Sequence, residues 1–449
     1  MVVNPGLSRR RNSVHLPAFE TTDSCMSTSI HPARLAAIIT LNSAVVPSAL
    51  GSGLMLYEMG MADVGLAAAG YAARAGDAST LFTNPAGMSR LEGAQFAGGA
   101  HLLFGSIEFT KDPALTGPLL RPDGDGGNSL GVLPAVSAFF TQPVSERVVV
   151  GLGAFSYFGL LSKYDDDWVG RYYTRNGALV GMSIMPAVSV EITDWLSVGA
   201  GLNAMFGYFD AEVAVRTGGV GDGQLELRDN TWGFGANVGV LVEPRDGTRL
   251  GVTYLSPVSL DFSDTPDFSN LGPLGGLPIF SAPPELDLGI TVPQSVMFSV
   301  RQEIHPAWAV LANVGWQNWK EFGKVDVGVD AANPTGLTTD LQYQDTWHVA
   351  LGVEHRLAAG WLLTGGFAYD SSPVDDEDRT FSLPMGETWR IGMGARWQLS
   401  SKVDLGAAYE FGWMGDLPVS QESAYRGAVG GAYEDVWLSF VALNLKWRF

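Results

Sequence analysis

The side chains able to do chemistry in this 449-residue chain are few and scattered. Of six histidines, His101, His305, His348 and His355 lack the i, i+4 pairing of a zinc-binding helix. His15 and His31 fall in an amino-terminal stretch that reads as a leader (below). The one cysteine, Cys25, excludes a disulfide framework and cysteine-built zinc or iron–sulfur centres. Neither a G-x-S-x-G elbow nor a phosphate-binding loop occurs. No enzyme and no cofactor are expected. Two acidic runs remain. Asp165-Asp166-Asp167 could hold a divalent cation, although a solvated charge run accounts for it more simply. Asp123-Gly124-Asp125-Gly126-Gly127 resembles a calcium loop but lacks the later bidentate Glu. No metal centre is expected. Arg301, Arg390, Arg396 and Lys446 could meet a carboxylate ligand. Pairing with acids such as Glu354, Asp404 and Glu410 would occupy most of them. Arg390 is the first candidate for a ligand contact and Arg171 the second.

Composition narrows the scaffold that holds these groups. Charged residues are 16% of the chain, against about 25% in soluble domains. Apolar residues are 46%, which excludes a disordered chain. The net charge of −20 argues against nucleic acid, because nothing here would neutralise phosphates. The apolar residues alternate with period two. Val441, Leu443, Leu445, Trp447 and Phe449 share one face, opposite Asn444, Lys446 and Arg448. The same holds for Trp389, Ile391, Met393 and Trp397 against Arg390 and Arg396, and for Trp347, Val349, Leu351 and Val353 against His348 and Glu354.

A soluble sandwich would turn the apolar face inward. Three features favour a membrane barrel with that face outward. Aromatic residues mark strand ends (Trp308/Trp316, Trp361/Tyr369, Trp389/Trp397), as in interfacial girdles. The strands are about ten residues long, the length of a tilted bilayer crossing. The opposite face is rich in Gly and ionisable residues, which suits a lumen. Fourteen such segments can be counted, among them 94–109, 147–158, 231–243, 247–262, 291–303, 402–412 and 435–449. An even number closes an antiparallel barrel without an edge. Tight turns at Pro143–Glu146, Thr193–Asp194 and His305–Pro306 alternate with long connections at 110–130, 159–178, 214–230, 263–290, 320–343, 371–386 and 413–434. Short turns are periplasmic and long loops extracellular in bacterial barrels. The expected class is therefore all-β, a 14-stranded antiparallel transmembrane barrel (94–449).

Two segments precede it. From Met26, Arg34 and the apolar run Leu35 to Val46 lead to small residues at Ser48, Ala49 and Gly51, the anatomy of a secretory signal. Residues 1–51 are read as upstream residues and a cleaved signal peptide, with Met26 the start and cleavage before Ser52. An uncleaved anchor is disfavoured by Asn42 and Pro47, since a spanning helix needs about 20 mainly apolar residues. Residues 52–93 are Gly/Ala-rich with short helical stretches. About forty residues make no stable domain alone, and a fourteen-stranded lumen is too wide for its own side chains to fill. This segment is expected to enter the barrel and plug it.

Several runs together resemble the FadL/TodX family of outer-membrane transporters of long-chain fatty acids and aromatic hydrocarbons. They are Gly53-Leu54-Met55-Leu56-Tyr57-Glu58, Asp77-Ala78-Ser79-Thr80-Leu81-Phe82-Thr83-Asn84-Pro85-Ala86-Gly87, Tyr164–Tyr172, Asp194–Gly201, Asp345-Thr346-Trp347, Tyr369–Val374 and the terminal Phe449. The resemblance spans essentially the whole chain after the leader. It implies passive inward movement of a hydrophobic molecule. Apolar extracellular loops capture it, rearrangement of an amino-terminal hatch at Asn84, Pro85 and Ala86 releases it, and it leaves sideways through a wall gap near Ser156 and Gly159. It also implies a Gram-negative outer membrane with its lipid and lipopolysaccharide, insertion by the barrel assembly machinery through Phe449, and a monomer. The loop at 263–290 fits the capture role. Leu271, Leu274, Leu277, Ile279 and Phe280 form an apolar cluster that a surface loop does not expose without reason. Packing on neighbouring loops is the plainer alternative. An uncharged hydrocarbon would need neither Arg390 nor Arg171. A water-filled porin or a structural adhesin barrel is the alternative to a transporter of hydrophobes; the plug and the apolar loop speak against the porin.

Overall fold

The computed structural model describes residues 57–58, 60–117, 120, 123–219, 221–330 and 335–449. The expected leader, Cys25, Met26, the cleavage point before Ser52 and the Gly53–Leu56 run lie outside the described residues.

Fourteen strands close an antiparallel barrel. They are β1 (Gln95–Lys111), β2 (Leu133–Pro143), β3 (Val148–Lys163), β4 (Asn176–Thr193), β5 (Leu196–Val215), β6 (Gly223–Arg245), β7 (Thr248–Leu255), β8 (Ser295–His305), β9 (Trp308–Gln317), β10 (Thr346–Arg356), β11 (Trp361–Asp370), β12 (Thr388–Gln398), β13 (Val403–Ser423) and β14 (Gly427–Arg448). Each pairs with the next, and β14 returns to β1 with Gln95 opposite Arg448 and Lys111 opposite Gly431. Closure leaves no edge strand, which is what a lipid solvent with no hydrogen-bonding groups requires. The alternating residues fall as the periodicity predicts. Leu351, Ile391, Met393 and Leu443 point outward and are exposed, while His348, Arg390 and Glu410 point inward and are buried. Trp389 and Trp397 are eight residues apart, roughly 27 Å along the strand, which suits the apolar band of such barrels. Around one rim Trp361 stacks on Trp397 and Trp447 on Phe449; around the other Trp316 faces Trp347, and Trp413 sits between Trp389 and Trp437.

On the long-loop side the barrel differs from the periodicity reading. The β5–β6 hairpin continues to Val215 and Gly223, and β13–β14 to Ser423 and Gly427, where 214–230 and 413–434 read as loops. The alternation that marks a strand reports contact with lipid. Above the bilayer the backbone pairing continues without it. The expected strand 247–262 is interrupted at Ser256-Pro257, and the strand expected at 291–303 at Pro293-Gln294. Proline has no N–H for the ladder. The outer halves, Val258–Asp264 and Glu285–Val292, leave the wall and pair with each other. With Lys324–Asp330 and Thr335–Asp340 they build a separate four-stranded sheet. Its Leu260 and Phe262 pack toward Gly207 and Phe209 on the inner face of β5.

Residues 57–58 and 60–93 lie inside the barrel as short pieces: α1 (Met61–Gly65), α2 (Thr80–Thr83) and a 3₁₀ turn at Pro85–Arg90. Their backbone runs against glycines of the wall. A Cβ on Gly251 would stand 1.9 Å from Ala72 O, one on Gly366 1.9 Å from Leu66 O, and one on Gly392 2.3 Å from Val64 O. The glycines that leave the lumen face bare are therefore the bed on which this segment lies. Ala67, Ala68 and Ala75 take positive φ there, an unfavourable conformation for a residue with a Cβ.

Candidate functional site

Asn84 caps the 3₁₀ turn and ties the plug to itself and to the wall. Its Oδ1 accepts from Ala86 N at 3.1 Å. Its Nδ2 donates to Ala72 O at 2.7 Å and to Val240 O on β6 at 3.0 Å. Gly239 makes room, since a Cβ there would meet Asn84 Oδ1 at 1.9 Å. Pro85 and Ala86 press on Gly199 of β5, and Ser189 donates to Ala86 O at 3.0 Å. Further ties run from Asn237 to Phe82 O, from Gly70 N to Asn313 and from Ala72 N to Ser299. Asp63 and Arg74 form a buried ion pair within the plug. Burial raises the Asp63 carboxyl to about 6 although Arg74 pulls it back down.

In β3 a bulge at Tyr157 lies between Ser156 and Gly159. Ser156 pairs with Met182 and Phe158 with Gly181, so Tyr157 and Phe158 both turn inward. On its other side, β3 pairs with β2 only as far as Phe155 opposite Ser137, whereas β2 stays paired with β1 up to Leu133. Across the interrupted stretch, Val136 N donates to Ser156 Oγ at 3.4 Å, and an isolated bridge joins Leu130 to Ser162. Side chains fill the space: Leu133 lies over Gly159, and the Phe158 ring over Gly181. Aromatic rings of the plug stand behind them. Phe82 meets Phe155 at 4.7 Å and Tyr157 at 5.6 Å, and Tyr71 is edge-on to both Phe82 and Tyr57. A cavity of about 20 Å³ remains between Tyr57, Tyr71, Phe82, Tyr157, Leu255 and Met297.

The two expected ligand-contacting cations are both engaged by acids of the protein. Arg390 on β12 is buried and reaches Asp370 at 2.7 Å, Glu410 at 3.3 Å and Glu58 of the plug. Asp370 also bonds His348 at 2.7 Å, and Tyr57 lies against the His348 ring at 4.6 Å. Arg171, in the connection after β3, is held by Asp222 at 2.7 Å and by Trp168 O, and lies over the Tyr172 ring. Arg301 pairs with Glu354, Arg396 lies near Asp404, and Lys446 donates to Gly76 O. Sequence reasoning anticipated Glu354, Asp404 and Glu410 but missed Glu58, Asp370 and Asp222. Glu58 and Asp370 carried a signal, as parts of the Gly53–Glu58 and Tyr369–Val374 resemblance; Asp222 carried none.

The apolar loop forms two short turns, Gly272–Gly276 and Pro278–Ser281. Leu271 is buried on Gly223 of the β5–β6 hairpin rather than displayed. Leu274, Ile279 and Phe280 are half-buried, with Phe280 edge-on to Phe268, and Leu277 is exposed. At the short-turn end, a cavity of about 270 Å³ below the plug is walled by polar groups that include Asp63, Arg74, Asp77, Arg301, Arg396 and Lys446. Among the described residues no group of His, Cys, Asp or Glu is arranged to hold a metal ion.

A closed barrel with lipid-facing aromatics and aliphatics, stoppered by its own amino-terminal segment, defines a plugged outer-membrane β-barrel of a Gram-negative bacterium. The chain belongs to the family of outer membrane protein transport proteins (OMPP1/FadL/TodX), whose model matches residues 42–449. It is 24% identical over 401 residues to the long-chain fatty acid transport protein of Escherichia coli O6:H1, covering 81% of this chain and 88% of that one. It is 26% identical over 395 residues to outer membrane protein P1 of Haemophilus influenzae, covering 79% and 84%. The fold is shared with a Pseudomonas aeruginosa FadL homologue (TM-score 0.79, 19% identity, 88% of this chain and all of that one). It is also shared with the Ralstonia pickettii toluene transporter TbuX (TM-score 0.63, 17% identity, 88% and 100%).

Proposed function

We propose that the protein carries long-chain fatty acids or aromatic hydrocarbons inward across the outer membrane by diffusion down a gradient, without catalysis. The observation that carries this reading is the interrupted β2–β3 pairing at the Tyr157 bulge, backed by plug aromatics. A greasy molecule can leave there into the bilayer without crossing the polar cavity below the plug. Capture falls to the loop around Leu274, Leu277, Ile279 and Phe280, where each buried methylene contributes about 0.8 kcal/mol. The plug must move for the path to open, and its three alanines in left-handed conformation are strain that such a movement relieves. The names of the relatives, a fatty acid transporter and a toluene transporter, agree with this substrate class.

The test is uptake of labelled oleate and toluene by cells that lack the protein and then regain it. Uptake of at least one should return. A second strain carries a deletion of Tyr157, which removes the extra residue, keeps the lumen and lipid faces of β3 in phase and lets β3 pair further with β2. Uptake should fall while the barrel still assembles. If restoring the protein changes uptake of neither compound, the transport reading is wrong. Normal uptake by the deletion strain would rule out the sideways exit.

A further inference from the structure

Resting on the transport reading, the connection between β11 and β12 (371–387) bears on which hydrophobe is carried. It runs as an arm of turns laid along β13, with Gly386 on Leu417 and Arg379 donating to Pro418 O at 2.6 Å. At its tip Phe381 is 1% exposed. The Phe381 ring stands in a cage of other rings: Phe109 of β1 at 5.4 Å, Trp168 at 5.6 Å and Tyr173 at 5.7 Å, the first two edge-on. These are the separations and angles of favourable aromatic pairs.

The cage does not depend on the arm. Phe109 faces Tyr433 in the β1–β14 ladder. Trp168 stacks on Tyr164 at 3.7 Å, with Gly126 and Gly170 leaving room for its ring. Tyr173 donates to Gly427 O at 2.6 Å. None of these anchors belongs to 371–387. The tip, by contrast, is held by hydrogen bonds at its backbone. Phe381 N donates to Gln421 at 3.0 Å, and Phe381 O accepts from Tyr164 at 3.1 Å and from Tyr433 at 3.3 Å. A preformed seat therefore holds a tethered occupant.

The occupant identifies the ligand chemistry. The side chain of phenylalanine is toluene tethered through its methyl carbon, so a seat that fits one fits the other. The approach disfavours an anion. A recess of about 670 Å³ between the arm and β13 runs from Trp413 of the aromatic rim to Arg379. Asp375, Asp376, Glu377, Glu387 and Asp416 line it, with Arg379 its one cation among the described residues, and Asp376 already pairs with that cation at 2.7 Å. Such a wall repels a carboxylate and is indifferent to a neutral ring.

We infer that the seat of Phe381 is a binding site for a neutral monoaromatic hydrocarbon, which the chain's own ring fills until a ligand ring takes its place. The exchange replaces ring contacts by ring contacts and needs the tip to lift off Gln421, Tyr164 and Tyr433. An alkyl chain has no ring face or edge to offer the cage, and a carboxylate is turned away at the recess.

The experiment reads the arm on the whole protein purified in a nonionic detergent. Arg379 is 3% exposed, so trypsin cleavage after it, located by mass spectrometry, reports the tip leaving its seat. Toluene should raise that cleavage several-fold. Methylcyclohexane, similar in size but without a π face, should raise it far less, and oleate not at all. The native protein is the main arm of the test, because a cavity made by any buried Phe→Ala change can take up a ring. Phe381→Ala should bind labelled toluene about tenfold more tightly, since no tethered ring competes, with oleate binding unchanged; equilibrium dialysis measures both. Heat-modifiable mobility on electrophoresis checks that the variant, and the native protein in toluene, remain folded barrels. If Phe381→Ala does not assemble, the three ligands on the native protein decide. Cleavage at Arg379 unchanged by toluene, equal cleavage with oleate or methylcyclohexane, or an unaltered toluene affinity in Phe381→Ala would overturn the inference. Cells that regain uptake with the native protein while toluene leaves Arg379 protected sink this inference but not the transport reading; cells that take up neither oleate nor toluene sink the transport reading itself.

Discussion

Replacing Asn84 by Ala removes three hydrogen bonds, of 2.7, 3.0 and 3.1 Å, at a site that is 1% exposed. Their partners fare unequally. Val240 stands in the barrel ladder between Val198 and Val252 and keeps strand pairing. Ala72 O and Ala86 N lose the bond that Asn84 supplied, inside a packed lumen. Leaving a buried polar group unpaired costs about 1–3 kcal/mol each. The docking of the plug should therefore weaken by roughly 2–6 kcal/mol, and its opening should rise nearly a thousandfold at about 4 kcal/mol, the middle of that range. The barrel strands lose nothing comparable. Amide exchange read by mass spectrometry should find protection lost across residues 72–90 and kept in β5 and β6, and uptake should fall with the barrel intact. Asn84→Asp sharpens the test. An ionised carboxylate only accepts, so it would face Ala72 O and Val240 O with like partial charge and should loosen the plug at least as much as Ala. Unchanged protection in either variant, or normal uptake by Asn84→Ala, would refute the reasoning that this side chain holds a working plug.

Other outcomes follow from the same geometry. Gly251→Ala and Gly366→Ala each place a Cβ 1.9 Å from a plug carbonyl; both should assemble as barrels yet expose buried Arg74 to trypsin, and continued resistance at Arg74 would mean that the wall glycines are not the plug's bed. Asp63 has its carboxyl raised above the usual value by burial, to about 6, so the stability it contributes is present below its ordinary value near 4 and fades as pH rises through 6. Protection factors for residues 61–75, corrected for intrinsic exchange, should accordingly be higher at pH 5 than at pH 8, and Asp63→Asn should flatten the difference. Changing Leu277 and Phe280 together to Ser removes apolar surface worth about 1 kcal/mol or more; initial uptake at low substrate concentration should drop several-fold, with saturating rates little changed.

Much of the molecule is legible along the chain because its solvent is lipid. Val441 to Phe449 reveal their strand and its outward face through neighbours two residues apart, and the same signal repeats wherever the wall touches the bilayer. It stops where the bilayer stops. The upper parts of β5, β6, β13 and β14 remain paired without alternating, and Ser256-Pro257 sends the outer strand into another sheet, so periodicity alone renders the first as loops and the second as one strand. The plug was anticipated because forty Gly/Ala-rich residues need a host. Asn84 was anticipated by resemblance, but not the carbonyls it bonds.

What local order could settle on its own was the class of scaffold, its strand number, which side faces lipid and which segment fills the lumen, because each depends on composition and on spacings of a few residues. Closure of the barrel added the partners. It set Glu58 against Arg390, which is 332 residues away, Gly239 beneath Asn84, and Asp222 onto Arg171. Which acid answers which cation depends on register around a closed cylinder and on where the plug comes to rest, and no periodicity along one strand carries that information.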